Sequence, residues 1–188
     1  MTPDAPEDLK GRLLVATPAL NDPNFERTVV LILEHGDDGA VGVVLNRPSE
    51  TDLSDPLPGW QRLATDPRVI FVGGPVAPDA AICLAQSWPD EHIEAYQPLL
   101  DSLGTVDLSV DPDDVSSALA AVRVFVGYAG WGAGQLEDEI EAGAWFVVDA
   151  RPDDALSADP ESLWEAVLRR QPGTLAMFAN FPANPSFN

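Results

Sequence analysis

The chain of 188 residues has one cysteine, two histidines and ten basic side chains, and each shortage excludes something. Cys83 has no partner for an internal disulfide, so the fold stands without cross-links and a reducing cytoplasm is the natural compartment. The longest uninterrupted aliphatic stretch is Val29 to Leu33, far below the roughly 20 residues of a membrane-spanning helix. The opening MTPDAPEDLK lacks the basic and apolar pattern of a signal peptide, and residues 1–10 read as a flexible tail. With 31 acidic residues against ten basic ones the formal charge is −21. Nucleic-acid affinity draws on Lys and Arg neutralising phosphates, and the ten basic residues here form no stripe. Direct nucleic-acid binding and anionic membranes are therefore disfavoured, whereas a basic protein partner is allowed.

What is present is enough apolar material, 45% of residues, for one sizeable core. Strand patterns occupy Leu13 to Thr17, Val69 to Val72, Ala81 to Ala85, Thr105 to Val110, Val122 to Tyr128 and Ala144 to Asp149. Arg27 to Glu34 and Ala40 to Asn46 form a hairpin across the five residues His35 to Gly39. Asp111-Pro112-Asp113-Asp114 is a helix start, predicting a helix to about Ala121. Asp159-Pro160-Glu161 repeats that grammar before a helix over Ser162 to Arg170, whose two arginines suit the negative end. A shorter helix covers Gln135 to Glu141 and closes at Gly143. An early hairpin with later interspersed helices, lacking a βαβ rhythm, reads as a single α+β domain over residues 1–188 with a mainly antiparallel sheet.

No pattern brings a complete catalytic set together. Gly127-Tyr128-Ala129-Gly130-Trp131-Gly132-Ala133-Gly134 reads as a strand passing through a glycine-rich turn into a helix, but it matches neither the dinucleotide fingerprint nor a Walker loop. Trp131 would crowd a pyrophosphate, and Glu137, Asp138 and Glu139 would repel it. Gly73-Gly74-Pro75-Val76 is a second glycine turn with no phosphate-binding Lys, Ser or Thr after it. Glu34, His35, Asp37 and Asp38 invite a metal reading, but position 12 counted from Asp37 is Pro48, where a calcium loop needs a glutamate. There is no G-x-S-x-G elbow, and Cys83 sits among Ala81, Ile82, Leu84 and Ala85 as a small buried residue would.

Two long stretches, GRLLVATPALNDPNFERTVVLILEHGDDGAVGVVLNRP from Gly11 to Pro48 and VFVGYAGWGAGQLEDEIEAGAWFVVDA from Val124 to Ala150, resemble signatures of the bacterial YqgE/AlgH family. The GGPV turn at Gly73 to Val76 and the DPESLW segment at Asp159 to Trp164 fall in family order, so the resemblance spans nearly the whole chain. It implies a single α+β domain with a branched sheet curling into a partial barrel, flanked by helices; no motif calls for a cofactor, and none is expected. It carries no established activity, although some members are labelled transcriptional regulators. Two departures stand out: Leu84-Ala85-Gln86 where members tend to have Leu-His, and Leu119-Ala120-Ala121-Val122 without the usual glycine and proline.

Two function classes follow. One is a non-enzymatic cytoplasmic binding or regulatory protein with a protein or small-molecule partner. The other is a hydrolase or metal-dependent enzyme built on Glu34, His35, Asp37 and Asp38. For the first, the LNRP, GGPV and GYAGW turns are expected to converge on one groove formed by Asn46, Arg47, Gly73, Gly74, Trp131, Gly132 and Gln135. Arg47 would be its cation, and the amides of Gly73, Gly74 and Gly132 its donors. The alternative is that these turns lock the fold, with Arg47 pairing an acid such as Glu137 and Trp131 filling the core.

Overall fold

Strand β1 (Arg12–Ala16) shows how the sheet is covered on both faces. Successive strand side chains point to opposite faces. Leu13 and Val15 enter one buried cluster, while Leu14 and Ala16 enter another. The computed structural model describes residues 8–183 and contains ten strands in one branched, curled sheet. These are β1, β2 (Val29–Gly36), β3 (Gly39–Val44), β4 (Pro48–Asp52), β5 (Val69–Val72), β6 (Val76–Ser87), β7 (Tyr96–Leu100), β8 (Leu103–Val106), β9 (Leu119–Gly132) and β10 (Trp145–Asp149). The main path runs β10-β1-β2-β3-β9-β6-β8-β7. Strand β9 makes the branch: β6 covers one edge, while β3 and the parallel β5 share the other. All other pairings between these strands are antiparallel, as expected. The sheet curls into a half-barrel, bringing the Leu99 carbonyl of β7 close to Gly11 at the start of β1.

Helix α4 (Leu163–Arg169) covers one face by burying Leu163, Trp164, Val167 and Leu168, each worth about 1.5–3 kcal/mol of transfer free energy. The Trp164 indole N–H donates to the Ala16 carbonyl at 2.9 Å, tying the helix to β1. Helix α2 (Gln135–Glu141), found where the sequence places it, buries Leu136 on the opposite side. Arg170 does not merely complement a helix end: it pairs with Asp154, which is buried at the end of α3 (Pro152–Ala155).

Several expectations need correction. The glycine-rich segment is strand rather than turn, because β9 continues to Gly132 and pairs with β3 up to Gly39. Its glycines serve backbone approach. A Cβ on Gly74 would lie 2.2 Å from the Tyr128 carbonyl group, and one on Gly127 would lie 2.3 Å from the Gly74 oxygen, so the GGPV and GYAGW segments cross backbone against backbone. The helix begun at Asp111 is only α1 (Pro112–Val115), with the Asp111 side chain accepting from the Asp113 amide as predicted. Leu119 to Ala121 join β9 instead, since Leu119 and Val122 fill a third cluster around Trp60. The hairpin turn is tighter than predicted, with only Asp37 and Asp38 between β2 and β3. The strand expected over Thr105 to Val110 is β8, ending at Val106. Most of the predicted tail lies outside the described residues, but Leu9 within it is buried.

Candidate functional site

The curl that brings β7 toward β1 leaves a cleft of about 490 Å³ at the mouth of the half-barrel. Leu33 and Val41 reach it from the β2–β3 hairpin, Ala81 and Cys83 from β6, Leu99 from β7 and Thr105 from β8. Leu33 and Cys83 are buried, whereas Lys10, Glu34 and Asp107 are exposed, so an apolar floor carries a charged rim. Lys10 and Glu34 stand 4.0 Å apart across that rim. Burial pushes the Cys83 thiol up to about 12, which removes the thiolate a nucleophile would need. This is the size and lining of a site for a small molecule with an apolar body and a polar end. Sequence patterns gave no sign of it, because its walls come from five strands separated by up to about seventy residues.

The residues expected to form one groove are divided. Arg47 donates to the carbonyls of Asn24 at 2.8 Å and Glu26 at 3.1 Å, and does not reach Glu137. Partial burial pulls its guanidinium below the ordinary arginine value, with Glu26 and Asp22 acting the other way. Asn46 accepts from the Val29 amide and donates to the Arg27 carbonyl, which clamps the same loop from its far end. Between these clamps Phe25 stacks on Trp131, and Trp131 is buried among Trp145 and Leu136. The amide of Gly73 donates to the Val126 carbonyl, and that of Gly132 to the Gln135 side chain. Arg47 and Gly74 share only a depression of about 70 Å³, whereas Trp131 borders a separate hollow beside the β2–β3 turn.

His35 stands on β2 beside that turn. Its Nδ1 accepts the Leu9 amide at 3.0 Å, so its proton sits on Nε2, 2.5 Å from the Glu137 carboxylate. Both ring nitrogens are thus engaged, and the hydrogen bond from His35 holds the Glu137 carboxyl below its usual range. Glu34 faces Lys10 instead of His35. Among the described residues no three His, Cys, Asp or Glu side chains are arranged to hold a metal ion.

Residues 13–176 match the AlgH-like family profile. A UPF0301 protein of Streptomyces avermitilis is 50% identical over 96% of this chain and 95% of its own. The chain belongs to the YqgE/AlgH family. A UPF0301 protein of Mycobacterium tuberculosis is 44% identical over the whole of this chain and 95% of its own. The crystal structure of a Corynebacterium diphtheriae protein superposes with a TM-score of 0.89 at 31% identity, covering 96% of this chain and 95% of that one. The solution structure of the AlgH protein from Pseudomonas aeruginosa gives 0.68 at 32% identity, covering 97% and 98%.

Two further features of this YqgE/AlgH-family chain escaped sequence reasoning. Arg123, within apolar β9, is 2% exposed and has no carboxylate partner among the described residues. It donates to the carbonyls of Ala155, Ser157 and Asp66 and lies 4.3 Å from the Phe71 ring centroid. Desolvation lowers it to about 10. Its only sequence signal is a cation between Val122 and Val124. Second, the Glu139 carboxylate accepts from the indoles of both Trp131 and Trp145, which joins α2 to the aromatic cluster.

Proposed function

We propose that this YqgE/AlgH-family protein is a non-enzymatic, cytoplasmic binding protein with a regulatory role, and that the cleft at the mouth of the half-barrel takes a small ligand. The observation that carries this reading is the cleft itself: an apolar floor with a few polar groups at the rim, framed by rigid strands. The competing enzyme built on Glu34, His35, Asp37 and Asp38 has less support, because both nitrogens of its only imidazole already have partners. The net charge of −21 argues that any regulatory effect runs through a ligand or a protein and not through direct contact with DNA.

The test is native mass spectrometry of the protein purified from its own cytoplasm, beside an Ala81→Trp variant. Ala81 lines the cleft from an exposed position, so an indole there fills space without disturbing the core. The expected result is a bound small molecule on the wild-type protein that is missing from the variant. Retention of the same molecule by the filled variant would refute the cleft as the site.

A further inference from the structure

On the outer end of β6 the chain builds a second cleft, of about 610 Å³, around a tryptophan that packing does not bury. Of the five tryptophans, Trp60, Trp131, Trp145 and Trp164 are 2–7% exposed, whereas Trp88 is 53% exposed. A single exposed apolar side chain is ordinary, but Trp88 stands with Pro89, Tyr96 and Pro98 in one cleft, and contiguous apolar surface with a polar rim marks interaction sites.

The backbone under Trp88 is held firmly. Its amide donates to the Ala118 carbonyl at 2.9 Å, and the neighbouring Ser87 amide donates to the Ser102 carbonyl at 2.9 Å. That same Ser102 carbonyl accepts the Tyr96 hydroxyl at 2.8 Å, while the Gln86 side chain donates through Nε2 to the Ser102 hydroxyl. The indole is therefore presented from a rigid base, which lowers the ordering cost of binding. Pro89, Tyr96 and Pro98 extend the apolar wall. The charged residues lining the cleft are Asp90, Glu91 and Asp101, all exposed, and no Lys, Arg or His is among its walls.

An aromatic face flanked by acids and lacking a local cation complements one chemistry above others, a lysine or arginine side chain laid over the ring. The proline and aromatic walls suit an extended backbone. We propose that the Trp88 cleft docks an extended segment of a protein partner bearing Lys or Arg, its cation seated on the indole and neutralised by Asp90, Glu91 and Asp101. The strongly negative charge of the whole chain would draw such a segment in from a distance. This docking site is separate from the ligand cleft, shares with it only Pro98, and stands or falls independently of it.

The test is a titration of the full chain with a proline-spaced arginine peptide at about 0.1 M salt, where surface charges are screened beyond about 10 Å. Binding is read by calorimetry and by tryptophan emission, whose water-exposed component comes from Trp88. Saturable one-to-one binding is expected, weakened about tenfold by Trp88→Ala and again by Asp90→Asn with Asp101→Asn. Asp153→Asn with Glu161→Gln, outside the cleft, removes the same number of charges and should leave affinity within about twofold. Unaltered binding to Trp88→Ala overturns the proposal, as does equal weakening by the outside pair. Trp88-dependent self-association in the ultracentrifuge would overturn it in favour of a second copy of this chain as the occupant.

Discussion

Replacing Arg123 should be among the costliest single changes in the molecule, and the structure allows the cost to be worked out. The side chain donates three hydrogen bonds to carbonyls of two segments distant in sequence, the loop at Asp66 and the stretch from Ala155 to Ser157. Removing each charge-assisted bond costs about 1.5 kcal/mol. Losing the contact over Phe71 adds about 1 kcal/mol, and the emptied volume about 2 kcal/mol. Against this stands relief of a buried charge: burial pulls the guanidinium below the ordinary arginine value to about 10, which corresponds to about 3 kcal/mol. Arg123→Ala should therefore destabilise by about 4 kcal/mol and Arg123→Met, which keeps the volume, by about 2 kcal/mol. Urea unfolding followed by circular dichroism and tryptophan fluorescence checks both values, provided the transitions coincide. The sign of the pH effect follows from the same burial. Because the folded value lies below the unfolded one, the penalty is present in full below about pH 10 and is relieved as pH rises above it toward the ordinary arginine value. An Arg123→Ala variant within about 1 kcal/mol of wild type would refute the view that this arginine clamps the two segments together.

Cys83, buried and with its thiol raised to about 12, should resist iodoacetamide at pH 8 in the folded protein and react stoichiometrically in urea, as mass spectrometry would show. Arg47→Ala should loosen the Asn24 to Glu26 loop, costing about 1–2 kcal/mol in urea unfolding and increasing amide hydrogen exchange at Phe25. A ligand-binding role alone would leave both unchanged. Glu137, held below the usual carboxylate range by His35, contributes stability that is present above the unfolded carboxylate value and lost as pH falls through the folded one. Glu137→Gln should accordingly flatten the acid limb of a melting-temperature profile between about pH 3 and 5.

What the sequence determined by itself was the local grammar. Asp111 caps a helix with Pro112 at its start, Gln135 to Glu141 is helical, and β2 and β3 form a hairpin, all because the deciding interactions lie within a few residues. The family and the branched, curled sheet were legible too, through two long signature segments. What only the tertiary structure decided concerns partners far apart along the chain. Pro48–Asp52 and Tyr96–Leu100 became strands despite polar or proline-bearing sequences, because β5 and β8 offered them free edges. Leu119 to Ala121 left a predicted helix for β9 because pairing with β6 and the cluster around Trp60 outweighed local helical preference. The glycines of GGPV and GYAGW, read as turns, proved to be the crossing point of two backbones. The cleft at the mouth of the half-barrel shares that origin, since its walls lie on strands tens of residues apart that only the curl of the sheet makes neighbours, whereas the Trp88 cleft is built almost wholly between Gln86 and Ser102.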